Sequence, residues 1–321
     1  MWIVKRRRKS KKDSLLNSFK LNTYRGRFAP SPSGSLHFGS LLAATASYLD
    51  AKAHQGDWLL RIEDLDAPRV QKGAISAILN VLECHGFEWD EKVLYQSQRL
   101  DAYQTITDQL LKRKKAYFCA CSRKVLQKNS PVGRYGFIYT GTCRQGIHPL
   151  NPSHLRSVRV LSDSRVITFK DRLYGGCEQN IAQAIGDFVI KRSDGVFAYQ
   201  LAVVIDDYHQ GITNVVRGYD LLDNTARQLY LQKLLNFPQP QYLHIPIAID
   251  AQGNKLSKRN LAKALSCSQA FDNIYQALIF LGQNPPPAHN FSQLDDLWQW
   301  AIMHWNINTL PQQGSLLYES P

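Results

Sequence analysis

The sequence predicts an α/β fold in which helices cover the faces of a parallel sheet. Short strand candidates alternate with helical stretches from residue 25 to residue 117, and this β–α–β–α order is typical of parallel sheets. With 321 residues, the chain can form one large domain or two medium domains with a real core. It contains no apolar run near the roughly 18 residues that a membrane span needs.

In the first half of the chain, local composition predicts where each strand and helix lies. Residues 25–29 predict a strand that enters a Pro/Ser/Gly turn, and residues 41–53 have helical spacing. Residues 58–62 predict a second strand, which runs into an acidic cluster. Residues 74–84 and 100–117 predict helices. Because ligands bind at the carboxyl ends of parallel strands, the turn and the acidic cluster mark the expected site.

The second half is interrupted by an inserted module that holds turns and a cysteine cluster. The core is expected to resume near residues 187–191, with buried strands at 201–205 and 244–249 and a mostly helical end. The expected organisation is a basic disordered tail, a first core half, a zinc-binding insertion, a second core half, and a lysine loop with a helical stem. These parts cover residues 1–22, 23–118, 119–184, 185–254 and 255–321.

The charge of the chain favours a polyanionic partner. The net charge is +13, and residues 1–20 hold eight Lys or Arg residues against Asp13 alone. The rest of the chain remains basic, which suits nucleic acid. The tail lacks the apolar segment of a secretory signal. We interpret it as a solvated disordered tail, with a transit peptide or a nucleic-acid-binding arm as alternatives, and expect a cytoplasmic protein.

Two distant segments carry the strongest functional signal. Residues 30–40 form a Pro/Ser/Gly turn with His37 at a predicted helix entrance, and residues 253–259 hold Lys255 and Lys258 around Ser257. A helix N-terminus receives anionic oxygens, and lysines neutralise charge on a transferred phosphate. Taken singly, His37 could be a packing histidine and the lysines plain solvated side chains. Together they predict adenylate chemistry.

The two segments resemble the two signatures of the class I aminoacyl-tRNA synthetases. The strings at residues 27–39, 61–66, 199–207 and 216–218 are similar to the glutamyl group, and they occur in the same order. Ser40 departs from the second His of the class signature, which glutamyl-type members commonly lack. The resemblance covers about residues 24–265 and implies a Rossmann nucleotide-binding core of the class I synthetase type.

This resemblance assigns site residues. It implies that L-glutamate binds to Arg27, Phe28, Ala29, Pro30, Ser31, Glu63, Tyr199 and Arg217. Glu63 would accept hydrogen bonds from the α-ammonium, and Arg217 would pair with a carboxylate. The alternative for Tyr199 is core packing, and the alternative for Arg217 is an ion pair with Asp220 or Asp223.

The same resemblance assigns the nucleotide side. It implies that ATP, with Mg²⁺, binds to His37, Gly39, Lys255, Ser257 and Lys258. His37 and Lys258 would be catalytic, because they stabilise charge during attack of the glutamate carboxylate on the α-phosphorus. No protein nucleophile is needed for this reaction.

Three of the six cysteines suggest a metal site. Cys119, Cys121 and Cys143 can present thiolates to one tetrahedral zinc ion, although three free thiols are the alternative. For the fourth ligand we predict Tyr139, on a family pattern, and His148 is the alternative that zinc chemistry offers. Four protein ligands would make the ion structural.

Without a secretory signal, no disulfide framework is expected. Cys84, Cys177 and Cys267 have no partner by spacing and are interpreted as unpaired thiols.

The acceptor of the activated glutamate is inferred from the end of the chain. Only 62 residues follow Arg259, which accommodates no complete anticodon-binding domain. Together with the cysteine pattern, this resembles the glutamyl-Q tRNA(Asp) synthetases, which transfer glutamate to queuosine in tRNA(Asp). The resemblance implies a monomer that uses glutamate, ATP and this tRNA. A glutamyl-tRNA synthetase acting on tRNA(Glu) and a non-catalytic tRNA-binding paralogue are the alternatives.

Overall fold

The computed structural model describes residues 24–133, 135–147, 156–256 and 264–318. The predicted basic tail lies outside the described residues, as do the candidate ligand His148 and the signature residues Ser257 and Lys258. Within the described ranges, no helix combines the length and the apolar character needed to cross a membrane.

Helices and strands alternate through most of the described chain. The strands, numbered β1 to β14 in chain order, are Arg25–Phe28, Asp57–Ile62, Asp90–Tyr95, Ala116–Cys119, Val132–Gly133, Gly136–Phe137, Ser157–Val160, Val166–Asp171, Gly175–Asn180, Val189–Lys191, Asn214–Gly218, Gln241–Ile245, Ile247–Ile249 and Ser315–Leu317. The helices, numbered α1 to α9, are Phe38–Ala53, Ala74–Cys84, Leu100–Lys112, Arg123–Asn129, Ile181–Ala184, Tyr199–His209, Leu222–Leu235, Ala270–Phe280 and Leu294–His304.

Two groups of parallel strands form the centre of the fold. Strands β1, β2 and β3 pair in parallel, and β11, β12 and β8 pair in parallel with β9 added antiparallel. The groups meet where the Thr213 N–H donates to the Arg25 carbonyl oxygen at 3.0 Å. The predicted parallel sheet is therefore confirmed, and its carboxyl ends point to one edge.

Helix α1 is the hydrophobic centre of the nucleotide-binding core. It packs against β1, β11, α8 and α9, and its Leu41 and Leu49 side chains are fully buried. Burying such leucines contributes roughly 1.5–3 kcal/mol each. This packing fixes the N-terminus of α1, and with it His37, relative to the sheet.

The inserted region is built around a separate small sheet. Strand β7 lies between β4 and β10 and is antiparallel to both, whereas β8 and β9 belong to the main sheet. The C-terminal region is helical, as predicted, and its last strand β14 pairs with β13.

Two secondary-structure predictions were wrong. Residues 201–205, predicted as a strand, lie within helix α6 and are all buried. A short, continuously apolar run does not distinguish a buried strand from a buried helix. The helix predicted for residues 100–117 ends at Lys112, because Lys114 adopts a positive φ of 53° and strand β4 follows.

The prediction of unpaired thiols was wrong for two cysteines. Cys84, at the end of α2, forms a disulfide with Cys267, 183 residues away. The C-terminal region packs against α2 here, since Asn273 Nδ2 lies 3.0 Å from His85 Nε2. Sequence spacing carries no signal for a pair joined only by tertiary packing. Cys177 is a free thiol, as predicted.

Candidate functional site

One cavity of about 860 Å³ opens at the carboxyl ends of the parallel strands. It is lined by every described residue of the predicted glutamate and ATP sets: Arg27, Phe28, Ala29, Pro30, Ser31, His37, Gly39, Glu63, Tyr199, Arg217 and Lys255. Residues that are more than 200 positions apart in sequence are thus brought to one space.

Arg217 lies at the end of β11 and is buried, with 4% of its surface exposed. Its Nη atoms donate to Gln228 Oε1 and Thr225 Oγ1, both at 2.8 Å. Two weaker contacts, both at 3.3 Å, join Nη1 to Tyr199 Oη and Nη2 to the Leu221 carbonyl oxygen. All these partners are uncharged.

Neither Asp220 nor Asp223 pairs with Arg217; Asp220 pairs with Lys255 instead, at 2.5 Å. Among the residues that the structure describes, Arg217 therefore has no carboxylate partner. Because an unpaired buried charge is costly, this guanidinium is suited to receive a carboxylate from a ligand.

Glu63 follows β2 and faces the same cavity. Its carboxylate is buried, and Oε1 has no hydrogen-bond partner within the described parts of the chain. The nearest charge is Arg61 Nε, 3.8 Å from Oε1. Burial raises the pKa of Glu63 to about 7, against the opposing effect of Arg61 and Arg27. A bound ammonium group would supply the missing donor.

A buried ion cluster supports this side of the cavity. Arg27 Nε and Arg61 Nη2 both donate to Asp207 Oδ1, at 3.1 Å and 2.6 Å. Burial opposes ionisation of Asp207, but the two guanidinium charges hold its pKa below its usual range. Together with Arg217, these guanidinium groups make this side of the cavity suited to an anionic ligand.

The other side of the cavity joins the two phosphate-binding segments. His37 is the N-cap of α1, where its Nδ1 accepts from the Ser40 N–H at 3.2 Å and its Nε2 lies 3.0 Å from Ser40 Oγ. Ser40, which stands where the class signature has its second His, therefore contacts His37 and fixes its ring.

Backbone contacts bring the lysine segment to this helix end. His37 pairs with Ala264 in an antiparallel bridge, and the Leu265 N–H donates to the Leu36 carbonyl oxygen at 3.1 Å. A Cβ placed on Gly39 would lie 3.0 Å from the Leu256 carbonyl oxygen, so a glycine permits this close approach. Lys255 lines the cavity at this point.

The predicted metal ligands form a second cluster, in the inserted region. The Sγ atoms of Cys119, Cys121 and Cys143 all lie within 4.8 Å of one another, and the Cys121–Cys143 distance is 3.7 Å. Tetrahedral zinc with Zn–S bonds of about 2.3 Å sets neighbouring sulfurs about 3.8 Å apart. The three thiols therefore fit a zinc ion.

Tyr139 enters the same cluster. Its Oη lies 3.3 Å from Cys119 Sγ and 3.7 Å from Cys121 Sγ, which brackets the roughly 3.5 Å that a tetrahedral zinc site sets between sulfur and oxygen ligands. Arg159 covers the cluster, with its Nε donating to Cys119 Sγ at 3.3 Å and its guanidinium 3.9 Å from the Tyr139 ring centroid.

Comparison with known proteins identifies the family. The catalytic-domain model of the class I tRNA synthetases (E and Q) matches residues 23–282. The chain belongs to this family. Two relatives named Glutamyl-Q tRNA(Asp) synthetase are each 48% identical to it. The relative from Aromatoleum aromaticum aligns over 90% of this chain and 91% of its own length. For the relative from Acinetobacter baylyi, the shares are 93% and 98%.

Solved structures of the same family show the same fold. The glutamate-tRNA synthetase of Elizabethkingia anophelis is 25% identical to this chain, with a TM-score of 0.76 over 93% of this chain and 68% of that one. The glutamate tRNA ligase of Elizabethkingia meningosepticum, solved with its amino acid, is also 25% identical to this chain. Its TM-score is 0.75, over 91% of this chain and 66% of that one. The expectation of a class I synthetase-type Rossmann core is thereby confirmed.

Sequence reasoning did not assign roles to several residues that support this class I site. Arg61 and Asp207 lie within the recognised strings, yet the ion pairs that Asp207 forms with Arg27 and Arg61 were not predicted. One signal was present: an arginine inside the apolar strand β2 is rarely buried without a partner. His244 and Asp171, behind Arg217, carried no comparable signal, because their contacts depend on the register of three strands.

Proposed function

We propose that this protein activates L-glutamate with ATP and transfers it to queuosine in the anticodon loop of tRNA(Asp). The observation that carries the first step is the buried guanidinium of Arg217, which has no carboxylate partner among the described residues and faces the cavity. Glutamate can supply that carboxylate. Glutamine cannot, and would leave the charge unpaired.

The remaining contacts orient the amino acid. Glu63, whose Oε1 has no hydrogen-bond partner in the described ranges, accepts from the α-ammonium. Arg27 to Ser31 and Tyr199 complete the pocket wall. This arrangement aims the α-carboxylate toward the helix end at His37, where the nucleotide binds.

The nucleotide is held between the two signature segments. His37, Gly39 and Lys255 border the cavity, and Ser257 and Lys258 follow directly in the chain. His37 and Lys258 stabilise the negative charge that develops as the carboxylate attacks the α-phosphorus and pyrophosphate leaves. Mg²⁺ neutralises the phosphates. A hydroxyl group of the nucleoside then attacks the glutamyl carbonyl of the adenylate, so that an ester forms and AMP leaves.

The choice of acceptor rests on the relatives named Glutamyl-Q tRNA(Asp) synthetase, which align over more than 90% of their length. The test supplies labelled glutamate and ATP with tRNA(Asp) that either carries or lacks queuosine. We expect label only on the queuosine-containing tRNA, and ATP–pyrophosphate exchange without any tRNA.

Three outcomes would contradict this assignment. Equal labelling of both tRNA(Asp) forms would remove queuosine as the acceptor. Labelling of tRNA(Glu) alone would indicate a glutamyl-tRNA synthetase. Absence of ATP–pyrophosphate exchange would indicate a tRNA-binding protein without catalysis.

We further propose that Cys119, Cys121, Cys143 and Tyr139 hold one structural zinc ion in the insertion, residues 119–184, which approaches the RNA. Cys121→Ser should lose the metal and the transfer of glutamate to tRNA but keep ATP–pyrophosphate exchange, because the cluster lies outside the cavity lining. Cys177→Ser is the matched control. A Cys121→Ser protein with a full equivalent of zinc would contradict the site. We assign the reaction to a monomer in the cytoplasm.

A further inference from the structure

Two buried residues lie directly behind Arg217, on the side away from the cavity. His244 and Asp171 are 0% and 1% exposed, and neither lines the cavity. His244 Nδ1 lies 2.7 Å from Asp171 Oδ2. The Nε–H of Arg217 donates to His244 Nε2 at 3.0 Å. A carboxylate, an imidazole and a guanidinium thus form one chain of hydrogen bonds.

The direction of each hydrogen bond is set by chemistry. A guanidinium only donates, so His244 Nε2 must accept, and the imidazole carries its proton on Nδ1. That proton is donated to Asp171, whose carboxylate also accepts backbone N–H groups from Leu173 at 2.9 Å and Tyr174 at 3.1 Å. Burial lowers the pKa of His244 to about 4, which agrees with a neutral ring.

The sheet register creates this arrangement. Arg217 in β11 is the register partner of His244 in β12, and β12 meets β8 where Tyr242 pairs with Asp171. Three neighbouring parallel strands therefore each supply one member of the chain. Because the register is fixed by the buried faces of the sheet, the hydrogen bond to Arg217 is built into the fold.

We propose that His244 and Asp171 are positioning residues that fix the Arg217 guanidinium, so that one N–H of each Nη atom is available to the substrate carboxylate. The guanidinium is planar, and a fixed Nε–H together with the contacts to Gln228 and Thr225 determines its plane. The weaker contacts at 3.3 Å, to Tyr199 and Leu221, are the ones that a carboxylate would replace. This inference rests on the proposed role of Arg217 in glutamate recognition.

The test compares KM for glutamate and KM for ATP in ATP–pyrophosphate exchange. His244→Phe removes the acceptor for Arg217 and should raise KM for glutamate at least tenfold, with KM for ATP within twofold. His244→Gln retains an acceptor oxygen and should recover part of the loss. Preference for glutamate over glutamine should fall with His244→Phe, because a misaligned guanidinium discriminates less between a carboxylate and an amide.

Two controls separate positioning from general stability. His85 is also fully buried but contacts Val81 and Asn273 away from the cavity, so His85→Phe should leave KM for glutamate unchanged. In an Arg217→Gln background, His244→Phe should have no further effect on KM for glutamate, since its action requires the arginine. If His244→Phe fails to fold, Asp171→Asn and His244→Gln carry the same comparison.

The outcomes also distinguish the proposed recognition of glutamate by Arg217 from the proposed positioning role of His244 and Asp171. If Arg217→Gln leaves KM for glutamate unchanged, the proposed recognition of glutamate is wrong. If Arg217→Gln raises it but the His244 and Asp171 variants do not, only the positioning role is overturned. Equal rises in both KM values, or additive effects in the double variant, would indicate a merely structural role.

Discussion

The two sides of the cavity are built differently. The glutamate side uses buried charges, with Arg27, Arg61, Asp207 and Arg217 each less than 10% exposed. On the triphosphate side, Lys255 is 40% exposed and is paired with Asp220, which is 32% exposed. Arg61, Asp207 and Arg217 each take part in two or more hydrogen bonds within the protein, whereas Lys255 lies nearer to solvent.

This difference in burial indicates what each side of the cavity contributes to ligand binding. A buried, pre-formed site discriminates between similar amino acids, because an incorrect ligand leaves a buried charge without a partner. A triphosphate needs no such discrimination, and its charge is neutralised well by mobile cations near solvent. We therefore expect substitutions on the glutamate side to have large, ligand-specific effects and those on the triphosphate side to have smaller ones.

The largest effect is expected for Arg217→Gln. Removing one partner of a buried charge pair costs about 3–5 kcal/mol, so kcat/KM for glutamate should fall about 10³-fold, while KM for ATP changes little. Steady-state ATP–pyrophosphate exchange measures both. Lys255→Ala is the matched control, and it should raise KM for ATP without changing KM for glutamate. A similar loss for both substrates in either variant would remove the distinction between the two sides.

The second prediction concerns the Cys84–Cys267 disulfide, which anchors the triphosphate side of the cavity. The Cys84–Cys267 disulfide fixes the chain shortly after the lysine segment to α2. A disulfide typically stabilises a protein by about 2–4 kcal/mol, so Cys267→Ser should lower the free energy of unfolding by that amount. Urea unfolding under non-reducing conditions measures this, with Cys177→Ser as control.

The disulfide also offers a kinetic comparison. We expect Cys267→Ser to raise KM for ATP by a few-fold and to leave KM for glutamate unchanged, because the glutamate side is held by its own buried network. Equal unfolding free energies for Cys267→Ser and Cys177→Ser would contradict the anchoring role.

The sequence predicted the parts of this molecule that local chemistry determines. The strand before Glu63, the helix after His37 and the cysteine cluster each have a local pattern, and the structure contains all three. It did not predict helix α6, since a fully buried apolar run loses its periodicity. The Cys84–Cys267 bond and the hydrogen bond from Arg217 to His244 were missed for another reason. Both depend on tertiary contacts that no local pattern encodes.

The third effect is the pH dependence of glutamate binding. Burial raises the pKa of Glu63 to about 7, so the carboxylate is increasingly protonated as the pH falls below 7. The ammonium group of glutamate needs the ionised form, and KM for glutamate should rise about tenfold per pH unit below 7. The side chain of free glutamate does not titrate until about pH 4.3.

Exchange assays from pH 5.5 to 8.5 at saturating MgATP measure this dependence. Glu63→Gln should raise KM at pH 8 and abolish the dependence, because the glutamine amide does not titrate. A wild-type KM that stays constant down to pH 5.5, together with an unchanged KM for Glu63→Gln at pH 8, would show that Glu63 does not accept from the ammonium group.

The smallest effect is expected for Asp220→Asn. In the structure Lys255 Nζ lies 2.5 Å from Asp220 Oδ2, and this carboxylate competes with a phosphate for the Lys255 ammonium group. Exposed ion pairs contribute at most about 1 kcal/mol, so releasing Lys255 should lower KM for ATP by less than about fivefold. Lys255→Ala combined with Asp220→Asn should behave like Lys255→Ala alone. A higher KM for ATP in Asp220→Asn would instead mean that this carboxylate itself assists nucleotide binding, for example through Mg²⁺. The triphosphate side would then contain a fixed anion, as the glutamate side does.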